Sequence, residues 1–514
     1  MAIEECIEES HIERLEARIA PQKSHQKYIE KIQEIDQLSF KRPFGDEYSD
    51  CIFNREIISE IHKKNFFYVI HFLKGKKTDW NCKNKDKSIP ICREDKKRED
   101  YREQALALRD LRHSGSEIAT RIRGIDAASN EVNFRPENFG TVFRFLGNDY
   151  DNNAFPSYLR INKLKQYPSN KMQLINKGNS YALWIDDLHY TQEAELPMLR
   201  KTYHVGEDFF DITDGLRAID EAVTFLELRR GDRIGHGVAL GIDVETWYQR
   251  HPVLALPLQN RLDNLAWLLY RVHKWKLPIS TAFHYQCQNI FQHLFNNLHA
   301  SMKSQHHSSN DLLSYIASWK LRGDDPECYS YSMWKKEYLN ATNEWDKARI
   351  RDEKLYKLLE QQGYIYDLIH NYHFNTTLKQ KAQEMQSFEV SRDYINLVKE
   401  LQKAMRNYIL DLGIAIESCP SSNFLISNLD EFKEIPTFKL FPIDEKDGEE
   451  IRMNVSINTD DQAVFYTSLQ KEYTLLAGTL QQKKDEQGRR IYSDDKILDW
   501  IGRLMKNSKE QSFG

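Results

Sequence analysis

The sequence lacks the features that mark secreted, disulfide-stapled or membrane-spanning proteins. Only seven of its 514 residues are cysteines, and they are widely spaced without a Cys-x-x-Cys motif. A disulfide framework or zinc ribbon is therefore not expected, and a reducing cytoplasm is the predicted compartment. The apolar runs, such as Leu265–Tyr270, fall far short of the ~18 residues of a membrane span. The acidic segment Met1–Glu9 resembles neither a secretory signal nor a transit peptide.

An excess of either charge is also missing. Lys and Arg total 72 and Asp and Glu total 77, which gives a net charge of −5. This balance supplies no general electrostatic reason to expect direct nucleic-acid binding. Hydrophobic residues make up 40% of the chain, which is enough for a substantial core. Length alone, at roughly 150 residues per domain, suggests about three domain-sized units.

Short β-type runs alternate with amphipathic helical patterns along most of the chain. The helical patterns include Asp214–Arg230 and Tyr394–Leu412. This alternation predicts a parallel sheet, in a (β/α) barrel or a large doubly wound sheet. The candidate strands are Leu15–Ile19, Phe66–Leu73, Ile122–Ala127, Thr202–His204, Arg233–His236, Gly413–Glu417 and Asn454–Asn458.

Three stretches depart from this rhythm. Residues 147–199 are rich in Asn, Tyr and Lys, and residues 242–393 are mostly helical in pattern. Both are interpreted as insertions within one barrel domain that spans residues 1–514. Residues 481–514 are polar and charged, and they are interpreted as a C-terminal tail.

Polar residues follow several of the candidate strands. His204 and Glu207 lie in the segment YHVGE, His236 lies in RIGHG, and Asp460 and Asp461 end SINTDD. In a (β/α) barrel the carboxyl ends of the strands meet at one mouth, so these side chains are expected to converge. Histidine and carboxylate together suit Zn²⁺ or a similar ion. A glutamate just beyond a liganding histidine is well placed for proton transfer.

Each motif also has a purely structural interpretation. A histidine at a strand end is more often a satisfied structural residue than a ligand. The pair Asp460 and Asp461 is typical of a helix N-cap followed by a first-turn acid. The segment ESCPSSN, which ends at Asn423, could be a turn. The order of the motifs, each after a strand, favours a shared site.

In this order the motifs HVGE, RIGHG, ESCPSSN and SINTDD resemble the adenosine deaminase family, in the metal-dependent hydrolase superfamily. The segment LEARIAP, from Leu15 to Pro21, is similar to the family's second strand. The segment RGIDAASNE, from Arg123 to Glu131, is similar to its fourth. The resemblance implies an α/β fold, a (β/α)8 TIM barrel, with a Zn²⁺ cofactor. It implies hydrolytic deamination of adenosine, deoxyadenosine or adenine nucleotides to the inosine form, with release of ammonia.

The resemblance also implies roles for individual residues. His204 and Asp460 would ligate zinc, and Glu207 would donate a proton to N1 of the adenine ring. His236 would orient the attacking hydroxide and take part in proton transfer. Asp461 would contact the hydroxide or the purine N7.

Two positions depart from the family pattern. Ser129 stands where the family usually has a substrate-contacting glycine, which puts that contact in doubt. Gln462 replaces a proline after the Asp pair, with little expected effect on the chemistry.

The large insertions further resemble the deaminase component of bacterial RADAR antiphage systems. Such proteins assemble into large shells with an ATPase partner. The expected partners are therefore a purine nucleoside or nucleotide, further copies of the chain and an ATPase of a defence system.

One family motif is missing. The first strand of the family carries His-x-His, which supplies two zinc ligands, yet none of the 17 histidines forms such a pair. The first strand is therefore expected to be absent from this chain, which leaves seven strands and two protein ligands. Such a chain is expected to bind zinc poorly and to have little activity alone. The alternatives are a structural or assembly subunit with impaired catalysis and, less favoured, an amidohydrolase acting on another purine.

Overall fold

A computed structural model describes most of the predicted barrel. The predicted insertion at residues 147–199 lies almost entirely outside the described part, and so does Met1–Glu9. No helix in the described part is long and apolar enough to cross a membrane. The described residues are 14–44, 66–75, 92–114, 116–149, 198–303, 311–330, 343–359, 363–427, 429–444 and 452–513.

The centre of the fold is a curled sheet of seven parallel strands in the order β1-β2-β3-β4-β5-β8-β9. This half-barrel confirms the predicted TIM-barrel-like α/β fold. Strands β1 and β9 form the two edges of the sheet. The strands are β1 (Leu15–Ile19), β2 (Phe66–Leu73), β3 (Ile122–Ala128), β4 (Arg200–Val205), β5 (Arg233–His236), β6 (Val253–Pro257), β7 (Met385–Glu389), β8 (Ala415–Ser418) and β9 (Val455–Ile457).

Strand β2 shows how the sheet sorts its side chains. Tyr68, Ile70 and Phe72 are fully buried and belong to the main core between the sheet and its helices. Val69 and His71 alternate with them and so face the barrel interior, where His71 contacts Asp126. Successive side chains of a strand point to opposite faces, so register decides which polar residues enter the interior.

Helices cover the outer face of the sheet and fill the long connection between β5 and β8. In chain order they are α1 (His25–Phe44), α2 (Asp95–Arg112), α3 (Glu117–Thr120), α4 (Gly140–Gly147), α5 (Ile212–Phe225), α6 (Val244–Arg250), α7 (Leu258–Trp275), α8 (Thr281–Lys303), α9 (Asp311–Leu321), α10 (Glu344–Arg349), α11 (Glu353–Leu358), α12 (Gly363–Phe374), α13 (Thr376–Lys381), α14 (Arg392–Leu412), α15 (Pro420–Ile426), α16 (Thr437–Leu440), α17 (Gln462–Phe465), α18 (Leu469–Gln482) and α19 (Asp494–Gln511).

Two features of this helical layer differ from the sequence expectations. The helix expected over Asp214–Arg230 ends at Phe225, because the chain turns directly after it, where Glu227 adopts a φ of +53°. The mostly helical stretch 242–393 also contains an antiparallel pair, β6 with β7. This pair joins the two ends of the stretch beside the barrel.

The last helix covers the open edge of β9. Trp500 and Leu504 of α19 are fully buried, and the indole N–H of Trp500 donates to the carbonyl of Phe441. The backbone N–H of Ile457, on β9, donates to the hydroxyl of Ser508 at 3.0 Å. A covered edge cannot template pairing with another chain, which is how sheet proteins avoid aggregation.

Candidate active site

A cavity of about 1130 Å³ opens at the carboxyl ends of the strands. Its lining includes all six residues singled out from the sequence. The structure therefore brings together residues that come from four strand ends and are separated by hundreds of positions. The six are Ser129, His204, Glu207, His236, Asp460 and Asp461.

A buried charge network forms the floor beneath this cavity. Arg18 of β1 pairs with Glu417 of β8 at 2.5 Å and with Asp126 of β3 at 3.1 Å. Arg233 of β5 pairs with Glu417 at 2.6 Å and with Glu16 of β1 at 2.5 Å. Each charge has an opposite partner, as buried ions require. The network ties the edge strand β1 to strands β3, β5 and β8.

Glu207 lies in the wall of the cavity, and its side chain is 7% exposed. Burial raises the pKa of its carboxyl above the ordinary value, while nearby His236 partly opposes the shift. Its backbone N–H donates to Glu131 at 2.9 Å, which fixes the loop after β4. A carboxyl with a raised pKa holds a proton nearer to neutral pH, as a general acid must.

Asn423 joins two of the predicted residues, although its segment was interpreted from sequence only as a possible turn and a family motif. Its side-chain nitrogen donates to Oε1 of Glu207 at 2.7 Å and lies 3.0 Å from Nδ1 of His236. Its carbonyl oxygen accepts the N–H of Cys419 at 3.2 Å, which sets the orientation of the amide. The ESCPSSN segment therefore contributes directly to the site.

His204 lies between His236 and Asp126. Its Nδ1 is 3.3 Å from Nε2 of His236, and its Nε2 is 3.4 Å from Oδ2 of Asp126. Burial lowers the pKa of His204 well below the ordinary value, so the imidazole is neutral at pH 7. A neutral imidazole is the form that binds a metal ion.

Three residues of the cavity have left-handed backbone conformations. The φ angles are +92° for Ser129, +64° for His236 and +55° for Asp460. A non-glycine residue in this region is strained, and such strain concentrates at functional sites. The angle at Ser129 explains why a glycine suits that position.

Asp461 caps a helix as well as lining the cavity. Its Oδ1 accepts the N–H of Val464 at 3.1 Å, as expected for a residue capping α17. Its side chain is exposed, whereas Asp460 is half-buried. Capping and a role in the cavity therefore coexist at this residue.

The histidine and carboxylate side chains of the cavity are of the types that bind a metal ion. No group of three or more His, Cys, Asp or Glu among the described residues is already arranged to hold one. However, Oδ1 of Asp126 is buried without a hydrogen-bond partner in the described structure. An orphaned carboxylate oxygen near the neutral imidazole of His204 is a donor set that Zn²⁺ accepts.

Two further residues of the site were not found by sequence reasoning. His71 lines the cavity and bonds to Asp126 at 2.7 Å through Nδ1. Lys74 is buried, and its ammonium donates to the carbonyl of His204 at 2.5 Å. Both belong to the segment FFYVIHFLK, where only the alternation of β2 and its register with β3 reveal the inward positions.

Comparison with known proteins agrees with the site's geometry. The family model for adenosine deaminase matches residues 396–492, which contain Glu417, Asn423, Asp460 and Asp461. The chain is also 32% identical to an adenine deaminase of Rhizobium johnstonii over 85 residues. This match covers 16% of the chain and 23% of that protein, so it spans less than a quarter of the relative's length. The half-barrel fold, the matched C-terminal segment and the motifs gathered at one mouth together make this chain similar to the adenosine deaminases.

Proposed function

We propose that this protein is a zinc-dependent hydrolase that deaminates adenosine-type purines to the inosine form and releases ammonia. The observation that carries the proposal is the group Glu207, Asn423 and His236, held together by contacts of 2.7 to 3.2 Å at the mouth of the barrel. This group combines a proton donor with a proton acceptor beside a cavity large enough for a nucleoside.

Glu207 acts as the general acid in this proposal. Protonation of the purine at N1 makes C6 electrophilic, and the raised pKa of Glu207 favours the protonated carboxyl that this step needs. The hydrogen bonds from Asn423 and Ser422 orient Oε1 of Glu207, and Oε2 is the oxygen proposed to carry the proton that is donated to N1.

His236 acts in this proposal as the group that accepts a proton from the attacking water. Its Nδ1 lies 3.2 Å from Glu207, and its Nε2 lies 3.3 Å from His204. This position lets it orient a water molecule for attack at C6 and accept its proton. Bound Zn²⁺, held by His204 and Asp460 together with other donors of the site, would supply the Lewis acid that makes water a competent nucleophile near neutral pH.

We infer the range of possible substrates from the residues that line the cavity and not from the charge of the protein surface. Asp461 and Ser129 line its outer part and are proposed to contact the purine. Adenosine, deoxyadenosine, adenine nucleotides and free adenine are the substrates to test. The related Rhizobium johnstonii protein is named an adenine deaminase, which brings free adenine into this set.

The proposal is tested by incubating the purified chain with each substrate, with and without added Zn²⁺, and by measuring inosine or hypoxanthine together with ammonia. Zinc-dependent release of ammonia is the expected result. Loss of about 10² to 10⁴ in rate is expected for Glu207→Gln, because general acid catalysis typically contributes that much. Absence of turnover of all these purines at saturating Zn²⁺ would contradict the proposal.

A second function is favoured by one observation. Since no three ligating side chains in the described part are already arranged around a metal site, the fold could serve as an assembly subunit. In that role it would form homo-oligomers in the cytoplasm and bind an ATPase partner in antiphage defence. Assembly without turnover, measured by light scattering and the same ammonia assay, distinguishes this function from the first.

A further inference from the structure

His71 is a histidine of the cavity that no motif explains. It lies on β2 directly opposite Asp126 of β3 in the parallel register, and both side chains enter the barrel interior. His204 follows on β4, the next strand of the sheet. Three neighbouring strands therefore place two imidazoles and a carboxylate at the base of one cavity.

The two imidazoles face the same carboxylate oxygen. Nδ1 of His71 is 2.7 Å and Nε2 of His204 is 3.4 Å from Oδ2 of Asp126. The two rings lie edge to face with their centres 5.9 Å apart. In a tetrahedral zinc site with bonds of 2.0–2.2 Å, neighbouring donor atoms are about 3.4 Å apart. The spacing of His204 and Asp126 already has this value.

The carboxylate of Asp126 can accept a further hydrogen bond or metal ion. Asp126 is fully buried, and its Oδ1 has no hydrogen-bond partner among the described residues. Burying such an oxygen without a partner is costly, which calls for an additional cation or donor at this point. Arg18, which also pairs with Asp126, can keep its stronger contact to Glu417 when another cation takes the carboxylate.

We propose that His71, Asp126 and His204 together bind the divalent metal ion of this site, with His71 as a protein ligand outside the known motifs. The inference deepens the proposed function, on which it rests for the identity of the ion. It accounts for a chain that carries only two of the expected ligands, His204 and Asp460. It requires His71 to withdraw slightly from Asp126, since a hydrogen bond is shorter than the edge of a coordination tetrahedron.

Ligation also sets the protons of the neighbouring groups. With Nε2 of His204 unprotonated, its proton lies on Nδ1, from which it is donated to Nε2 of His236 at 3.3 Å. A carbonyl or carboxylate partner for the second ring nitrogen is the usual arrangement, and here a second histidine takes that place.

The test uses the full-length chain freed of metal by a chelator, with Co²⁺ as a visible probe and Zn²⁺ as competitor. The informative variant is His71→Asn, whose amide can still donate to Asp126 but cannot replace the imidazole as a strong metal ligand. The matched control is His273→Asn, which removes an exposed histidine from α7. Thermal unfolding of each metal-free variant checks that the fold is retained.

The wild-type chain and His273→Asn are expected to bind one Co²⁺ with the same affinity and the same visible spectrum. His71→Asn is expected to bind Co²⁺ at least 10-fold more weakly and with an altered spectrum. Unchanged affinity and spectrum in His71→Asn would overturn the inference, and so would failure of the wild-type chain to bind Co²⁺ or Zn²⁺.

Ammonia release measured on the same samples separates the two proposals. Zinc-dependent turnover with normal metal binding by His71→Asn leaves the proposed function standing and removes His71 as a ligand. Metal binding that depends on His71, in a chain that turns over no purine, leaves His71 standing as a ligand and contradicts the proposed function.

Discussion

Asn423 and Glu207 are joined by a hydrogen bond of 2.7 Å between segments that are 216 residues apart in sequence. The bond connects the loop after β4 to the start of α15, which follows β8. Because Asn423 also contacts His236, one amide fixes the relative positions of the proposed acid and base. Its own carbonyl is held by the backbone of Cys419, so the amide is rigidly oriented.

Replacement of Asn423 by Ala is therefore expected to reduce kcat more than it changes KM, by roughly 10²-fold, because misplaced catalytic groups lose orientation. Its hydrogen bond favours the ionised form of Glu207, so its loss should raise the pKa of that carboxyl further. The alkaline limb of the kcat/KM profile, where the acid loses its proton, should move to higher pH. The exposed Asn289→Ala variant should match the wild type in both measurements.

Ser129 gives a prediction about stability. Its φ of +92° lies in a region that glycine adopts freely and serine adopts with strain. Ser129→Gly is expected to raise the free energy of unfolding by about 1 kcal/mol, within the range for such strain. Ser129→Ala, which keeps the strained backbone, should give no gain in urea unfolding. A loss of stability in Ser129→Gly equal to that of Ser129→Ala would contradict the argument.

The main strands of the barrel were predictable because local pattern determines them. Strands β1 and β5 have the predicted bounds, Leu15–Ile19 and Arg233–His236. The ends of β8 and β9 lie within two residues of their predicted positions. The polar residues at strand ends were also predictable, since parallel strands bring their carboxyl ends together. His204, Glu207, His236 and Asp460 share one cavity for that reason.

The remaining parts of the site depend on contacts that sequence pattern does not encode. His71 lies within an apolar run, and only the register of β2 with β3 brings it to Asp126. Asn423 acts through a partner more than two hundred residues away. Strands β6 and β7 are separated by the whole helical stretch between them, so neither predicts the other.

The C-terminal residues lead to a prediction about the barrel floor. The ring of Phe513 lies 3.5 Å from the guanidinium of Arg233, and its N–H donates to Glu16 at 2.7 Å. A Cβ added to Gly124 would lie 2.6 Å from the same ring. Phe513→Ala is expected to cost about 1–2 kcal/mol through lost packing and cation–π attraction.

Gly124→Ala should also destabilise the wild-type chain, because its new methyl group would collide with Phe513. In the Phe513→Ala background most of this cost should disappear, since the colliding ring is gone. A double-mutant cycle by urea unfolding measures the coupling, expected at 0.5 kcal/mol or more. Strictly additive costs would show that Phe513 does not pack against Gly124 in solution.

Asp211 predicts how stability depends on pH. It is almost fully buried between the hydroxyls of Tyr248 and Tyr394, each of which donates to it at 2.5 Å. Burial raises the pKa of its carboxyl to about 6, from an ordinary value of 3.8. Because the folded chain favours the protonated form, the contribution of this group to stability is complete below about pH 4 and is lost as pH rises through 6.

Asp211→Asn should remove this dependence, since the amide remains neutral at every pH. It is expected to match the wild type near pH 4 and to be more stable by about 3 kcal/mol near pH 7.5, given roughly 1.4 kcal/mol per unit of the difference between the pKa values of about 6 and 3.8. Urea unfolding at the two pH values measures the difference. Asp411→Asn, an exposed change on α14, should follow the wild-type curve. An Asp211→Asn variant that is equally destabilised at both pH values would show instead that the ionised carboxylate is needed by the two tyrosines.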